Sequence, residues 1–153
     1  MLRADFRLWI ALLFPLAAWP GERDAEAAYV GGTLGQLEPG VHGHASTADG
    51  ESFVFKAKRA IIRVPYERIN LIEYGQKVDR RLMEAILISP LMILSKKRQH
   101  FLTVGFESDD GRQQAMLLKV DKSHIRAILV SLEARTGRKV TYQDEEARKA
   151  GKG

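Results

Sequence analysis

The chain has 153 residues, 45% of them apolar, with 24 basic and 19 acidic side chains, a formal charge of +5 and no cysteine. That length suits one domain with one core and leaves little room for two. The absence of cysteine excludes a disulfide framework and a thiolate metal site, so the fold must stand on its hydrophobic core.

At the N-terminus, Arg3 and Arg7 precede an apolar run from Leu8 to Trp19, broken by Pro15, and then a polar stretch ending in Ala25-Glu26-Ala27. Basic, apolar and small-residue segments in that order predict a secretory signal peptide over residues 1–27, cleaved after Ala27. The run is short for a bilayer span. Asp5 and the linker Glu22-Arg23-Asp24 favour the alternative, an amphipathic N-terminal helix. Removing residues 1–27 takes away three basic residues (Arg3, Arg7, Arg23) and four acidic ones (Asp5, Glu22, Asp24, Glu26), which leaves 21 against 15 and a formal charge of +6. A basic exported protein, periplasmic or envelope-associated, suits anionic lipid headgroups, cell-wall polymers or acidic proteins better than nucleic acid.

Residues 28–142 read as a single β domain. Ala28 to Thr33 predicts a first strand bending at its paired glycines, and Leu37-Glu38-Pro39-Gly40 a turn. Val41 to Thr47 and Ser52 to Lys56 flank Asp49-Gly50, a dipeptide suited to a hairpin turn with positive φ at both central residues. Arg59 to Val64 is a further strand ended by Pro65, and Ile69 to Val78 follows a turn through Tyr66-Glu67-Arg68. Leu102, Val104 and Phe106 alternate with Phe101, Thr103 and Gly105. After a turn at Asp109-Asp110-Gly111, Met116, Leu118 and Val120 alternate in a partner strand.

A helix then runs from Asp121 or Lys122 to Thr136, with Asp121 as N-cap, Ile125, Ile128, Leu129 and Leu132 on one stripe and Gly137 just past the end. Lys139 to Tyr142 makes a last extended piece, and residues 143–153 read as a flexible charged tail. Strands in meander order followed by one amphipathic helix outline a mainly β fold. Its expected form is a small pleckstrin-homology-like barrel or β-roll closed by the C-terminal helix, with a helical insertion at about 79–96.

That insertion is the most unusual stretch. Leu82 to Leu94 holds nine large apolar side chains between Arg80-Arg81 and Lys96-Lys97-Arg98. Left in water, these would forfeit about 13 to 27 kcal/mol at roughly 1.5 to 3 kcal/mol each. Asp79 as one cap and Ser89-Pro90 as a second predict helix, break and short helix. Thirteen residues cannot span a bilayer as one helix.

Two kinds of cover suit the block. In one, Leu82, Met83, Ile86, Leu87, Leu91 and Met92 enter an anionic membrane surface or a protein partner, while Arg80, Arg81, Lys96, Lys97 and Arg98 sit at headgroup level. In the other, the block extends the core or forms a homo-oligomer interface, and the basic residues are simply solvated. A patch of this size is usually covered, and Glu84 opposes deep insertion.

Other candidate sites are smaller. His42 and His44 project from one face of a strand, and with Asp49 or Glu51 brought round the hairpin they could hold zinc or nickel. His100 and His124 stand isolated. Arg135, Arg138 and Lys139 gather around Gly137, where cations complement the helix dipole or make an anion site. Gly75-Gln76-Lys77 and Gly31-Gly32 lack the strand–helix context of a phosphate-cradling loop. None of the serines sits in a nucleophile elbow, and no catalytic residue or cofactor is expected. Tyr66 and Tyr74 near Arg63, Arg68 and Lys77 make a thin case for nucleic acid, which is not expected as a partner.

The strings YVGGT, VPYERI, EYGQKV, KKRQHFLTVGF and LEARTGRKV, spread from Tyr29 to Val140, resemble those of a group of exported bacterial proteins without an assigned activity. The resemblance implies a shared fold and carries no function. VPYERI also resembles the strand-to-turn passage of pleckstrin-homology-like and GRAM-like domains. The function expected is therefore a non-enzymatic binding or adaptor module, the alternatives being a homo-oligomeric structural protein and a small metal-binding protein or enzyme using His42 and His44.

Overall fold

The computed structural model describes residues 24–78, 80–88, 90–94 and 97–152. The strands are β1 (Ala25–Gly32), β2 (Val41–Ser46), β3 (Ser52–Ala57), β4 (Ile61–Pro65), β5 (Ile69–Gly75), β6 (Leu87–Ile88), β7 (Phe101–Glu107), β8 (Gln113–Val120) and β9 (Thr141–Tyr142). The helices are α1 (Arg80–Ala85), α2 (Pro90–Ile93), α3 (Ile125–Thr136) and α4 (Glu145–Lys152), with a single 3-10 turn over Tyr66–Arg68. Eight strands make one sheet in the order β4-β3-β2-β1-β8-β7-β5-β9, and β6 adds to β1. All pairings are antiparallel except β5 with β9.

The mainly β class with helices is as expected, but the sheet is open. Among the described strands, β4 and β9 end the order without pairing to each other, so no closed barrel forms. The late β9 takes a place on β5 that a closing strand would need, pairing Glu73 with Thr141 and Tyr74 with Tyr142.

Alternation works as predicted in the β7–β8 hairpin. Leu102, Val104, Phe106, Met116, Leu118 and Val120 all join the main core, together with Tyr29, Phe53, Phe55, Ile69, Ile72 and Tyr74. α3 lies on this face with Ile125, Ile128, Leu129 and Leu132 buried, and Gly137 takes the left-handed conformation at its end (φ 69°). Burying those four side chains contributes roughly 6 to 12 kcal/mol, an upper figure for an extended unfolded chain.

The opposite face of the sheet is also covered. Val30, Phe101 and Leu117 form a second buried cluster beneath Val78, Leu82, Ile86, Ile88 and Ile93. The insertion is helix, break and helix as expected, and its break is a strand: β6 pairs Ile88 with Gly31 and Leu87 with Gly32. β1 presents Val30 to this layer through a bulge between Tyr29 and Gly31 against β8. The expected caps Asp79 and Ser89 lie outside the described residues.

Four local expectations are corrected. β1 begins at Ala25, ahead of the expected Ala28, and Ala25 and Ala27 are buried, with both paired to β2. Cleavage after Ala27 would therefore cut inside the strand. No described non-glycine residue has positive φ, and Gly50 is not among the glycines that do, so the β2–β3 connection is not the tight turn predicted. Instead Asp49 Oδ1 accepts the Glu51 and Ser52 N–H groups at 2.9 and 3.0 Å, an Asx-type turn within a longer loop. Asp121 serves the turn before α3, where it accepts the Ser123 N–H at 3.3 Å, and not the helix proper, which starts at Ile125.

The fourth correction concerns the tail, which folds as α4. Ala147 is fully buried there, and a Cβ on Gly151 would lie 2.5 Å from the Tyr142 ring, so the glycine permits the close approach.

Gly32 holds the edge of β1 at its meeting with both β6 and β8. A Cβ there would stand 2.3 Å from the Ala115 carbonyl oxygen and 2.6 Å from the Tyr29 hydroxyl. Gly32→Ala is expected to cost about 1–3 kcal/mol, as forced overpacking does. Gly35→Ala, with nothing within 4 Å of the added carbon, should leave the urea midpoint within experimental scatter. Equal midpoints for the two variants would contradict the close packing described.

Candidate functional site

The insertion leaves a surface that the fold does not consume. Leu82, Ile86 and Ile93 turn toward the sheet, whereas Leu91 is 82% exposed, Leu94 75% and Met83 42%. Helix geometry accounts for the split: in α1 Leu82 and Ile86 are one turn apart on the inner side, with Met83 on the next position round. Arg80, Arg81, Lys97 and Arg98, which flank the insertion in sequence, are exposed. Arg80 lies 3.3 Å from Glu84, an exposed i,i+4 pair that accounts for the acidic residue on the polar side of α1. Arg98 approaches Glu146 of α4 at 3.9 Å. The side chains of Leu87 and Met92, and Lys96 as a whole, lie outside the described residues. The expected binding surface is thus drawn down to Met83, Leu91 and Leu94 with four flanking cations.

His42 and His44 do share the outer face of β2, both exposed, as the spacing predicts. His44 stands opposite Glu26 on one side and Lys56 on the other. Asp49 cannot complete a metal set, because its second oxygen Oδ2 accepts from Arg63 at 2.8 Å at the far end of the hairpin. The loop amides and Arg63 hold its carboxyl below the usual carboxylate range. Among the described residues no group of three or more metal-ligating side chains gathers.

The cations around Gly137 do not converge. Arg135 lies over the Tyr66 ring at 5.4 Å, and Arg138 lines a shallow cleft that also contains Glu67, Glu107 and Asp109. Three carboxylates make that cleft a poor host for an anion. Lys139 is exposed.

Ser123, His124 and Asp121 lie together before α3 without the geometry of a nucleophilic triad. Ser123 Oγ is 2.8 Å from His124 Nδ1, and Asp121 Oδ2 is 3.0 Å from the same nitrogen. A triad needs the base to bridge through its two different nitrogens. Here one nitrogen takes both contacts, and Ser123 also bonds Asp121 directly, so the group is a turn that stitches itself.

One arrangement escaped the sequence. Tyr74 of β5 is fully buried, and its hydroxyl lies 2.5 Å from Nδ1 of His100, which is itself only 7% exposed. The two rings stack with centroids 6.0 Å apart, and Tyr142 meets Tyr74 edge-on. Burial keeps the Tyr74 phenol above its usual pKa, with the nearby Gln76 side chain pulling the other way. Burial, then the nearby Lys122, pushes the His100 pKa below 6.5. His100 lines a cleft of about 780 Å³ with Gln76, Arg98, Asp121, Lys122 and Arg126. Periodicity could flag Tyr74 and His100 as inward-facing, but only the β5–β7 register, with Tyr74 opposite Leu102, brings them together.

A histidine with a depressed folded pKa binds fewer protons folded than unfolded between that pKa and about 6.5. The stability tied to neutral His100 is therefore complete above about 6.5 and is lost as pH falls through that window. The depressed carboxylates Asp49, Asp110 and Asp121 act lower, below their ordinary value of 3.8. Thermal melts should accordingly show a lower Tm at pH 5.5 than at pH 7.5, with the difference reduced in His100→Gln. An unchanged difference in the variant would place the acid sensitivity elsewhere.

Comparison with known proteins assigns no family: no protein-family model matches the chain, and no curated protein matches it either.

Proposed function

We propose that this chain is a non-enzymatic binding module whose insertion, from Arg80 to Arg98, lies on an anionic membrane surface. The observation that carries the reading is the exposure of Leu91 and Leu94, 82% and 75%, on an insertion whose two flanks carry the exposed cations Arg80, Arg81, Lys97 and Arg98. Each apolar side chain moved out of water contributes roughly 1.5–3 kcal/mol. Each cation near an anionic surface adds about 1 kcal/mol. Together these are enough for reversible attachment of a folded domain.

The attachment is interfacial. α1 has six residues and α2 four, and no helix among the described residues is long and apolar enough to cross a membrane. Glu84, paired with Arg80, suits headgroup depth and opposes anything deeper.

Export to the periplasm or envelope belongs to the same reading, with a leader that ends before Ala25 so that β1 stays whole. So does membership of the exported bacterial group whose strings the chain resembles. The likeness to pleckstrin-homology-like domains is supported in a weaker form than a closed barrel, by antiparallel strands followed by a helix packed on the core. A protein partner or a second copy of the chain would use the same exposed leucines.

Cosedimentation with phosphatidylglycerol and phosphatidylcholine vesicles separates these occupants. Wild type should pellet with the anionic vesicles and be released by salt. Leu91→Asp with Leu94→Asp should abolish binding while keeping Tm within about 2 °C, because exposed positions carry little folding energy. Changing Arg80, Arg81, Lys97 and Arg98 to Ala should weaken binding at least tenfold, from roughly 1 kcal/mol per charge. Dimerisation that the leucine variants dissolve, without vesicle binding by wild type, would replace the membrane by a second copy.

A further inference from the structure

The cleft beside His100 is built differently from the membrane-facing patch. Its wall combines a buried histidine with three exposed cations, Arg98, Lys122 and Arg126, on two separate elements. The one carboxylate among its lining residues is Asp121, already engaged by Ser123 and His124. Backbone amides at the start of α3 do not contribute. Those of His124 and Ile125 donate to the Asp121 carbonyl and that of Ser123 to the Asp121 carboxylate.

Hydrogen bonding fixes which proton His100 shows to the cleft. His100 Nδ1, at 2.5 Å, is the one hydrogen-bond partner of the buried Tyr74 hydroxyl among the described residues, and a buried phenol O–H needs an acceptor, so Nδ1 accepts. A neutral imidazole whose Nδ1 accepts must carry its proton on Nε2. That nitrogen has no partner among the described residues, and the ring lines the cleft. The cleft therefore offers one preoriented N–H donor and cationic side chains. Arg126 is steadied by its Nε–H bond to the Ala150 carbonyl at 2.9 Å, whereas Lys122 has no ion pair among the described residues.

We propose that this cleft binds an oxyanion of the phosphate type, held by His100 Nε2–H with Arg98, Lys122 and Arg126 as counter-charge. Donors of fixed direction and cations of both the forked and point-charge kind match a tetrahedral anion, and three cations outnumber the one lining carboxylate, Asp121, with Glu146 3.9 Å from Arg98. Arg98 is common to this cleft and to the cations of the insertion, whereas His100, Lys122 and Arg126 belong to the cleft alone. An anion seated there could be free phosphate or the phosphodiester of a lipid headgroup.

The test is a titration of the full chain with inorganic phosphate at constant ionic strength, read on the His100 ring nitrogens by NMR, with chloride as control. The expected result is a saturable one-site shift with Kd of about 1 mM or tighter. Arg98→Ala and Lys122→Ala, both exposed and off the core, should each weaken it about fivefold, and the pair by at least tenfold. Arg80→Ala with Arg81→Ala should leave it unchanged.

His100→Gln, which keeps an amide donor, should retain more binding than His100→Phe. The second arm adds saturating phosphate to the chain on phosphatidylglycerol vesicles. Displacement at fixed ionic strength marks the headgroup as the source, and retention on the vesicles marks free phosphate. A shift no larger than with chloride, or one undiminished in Arg98→Ala with Lys122→Ala, overturns the proposal. Vesicle binding lost in the Leu91 and Leu94 variants and weakened in Arg80→Ala with Arg81→Ala would leave the membrane reading standing in that case.

Discussion

The three central strands β1, β8 and β7 carry apolar side chains on both faces, and that single constraint organises the rest of the molecule. A strand apolar on both sides cannot tolerate water on either. Tyr29, Leu102, Val104, Met116 and Leu118 require the cover that α3 supplies. Val30, Phe101 and Leu117 require another, which the insertion supplies. The block from Leu82 to Leu94 is therefore best understood as half a layer. Its inner side chains are spent on the sheet, and what is left over, Leu91, Leu94 and Met83, is a surface of the finished fold.

How much of this could be read in the residues follows from the range of the forces involved. Alternation in β7 and β8 and the stripe of α3 are set by whichever face is buried, so Leu102, Val104, Phe106, Ile125 and Leu132 fell where their spacing placed them. Sheet closure depends on whether two distant edges meet, which no local pattern encodes, and the open edge at β4 was missed for that reason. Asp49-Gly50 satisfies two turn chemistries, and the side-chain bonds of Asp49 to Glu51 and Ser52 favour the longer one. The tail misled through its composition. α4 is charged on its outer sides, and its docking rests on Ala147 and Gly151, two residues too small to register as apolar signal.

The candidate site was legible to the extent that it depends on exposed composition. Apolar residues between basic ones stand out in the sequence alone, and the structure narrows which of them remain exposed. His100 is the opposite case. Its neighbours in space, Tyr74, Gln76, Lys122 and Arg126, come from β5, the turn after it, the approach to α3 and α3 itself. Their separation along the chain hides a relation that strand register creates. The same register explains why the pair is affordable inside: the Tyr74 hydroxyl and His100 Nδ1 satisfy each other, so neither atom pays the cost of about 1–3 kcal/mol for a buried polar group left alone.

Arg98, Gln99 and His100 mark the place where the two covers meet, just before β7 begins. Phe101 faces the insertion and Leu102 faces α3, so the residues ahead of them divide in the same way. His100 lies toward α3 and finds Tyr74. Gln99 lies toward Val78, Met83 and Ile93, and its amide oxygen is buried with no hydrogen-bond partner among the described residues. A tightly formed layer rarely leaves such an atom unpaired. Among the described residues, the contrast between two adjacent polar residues separates the covers: His100 is paired on the α3 side, whereas the Gln99 oxygen is unpaired on the insertion side. A layer that is both incompletely satisfied and apolar on its outside is the one a further surface would complete.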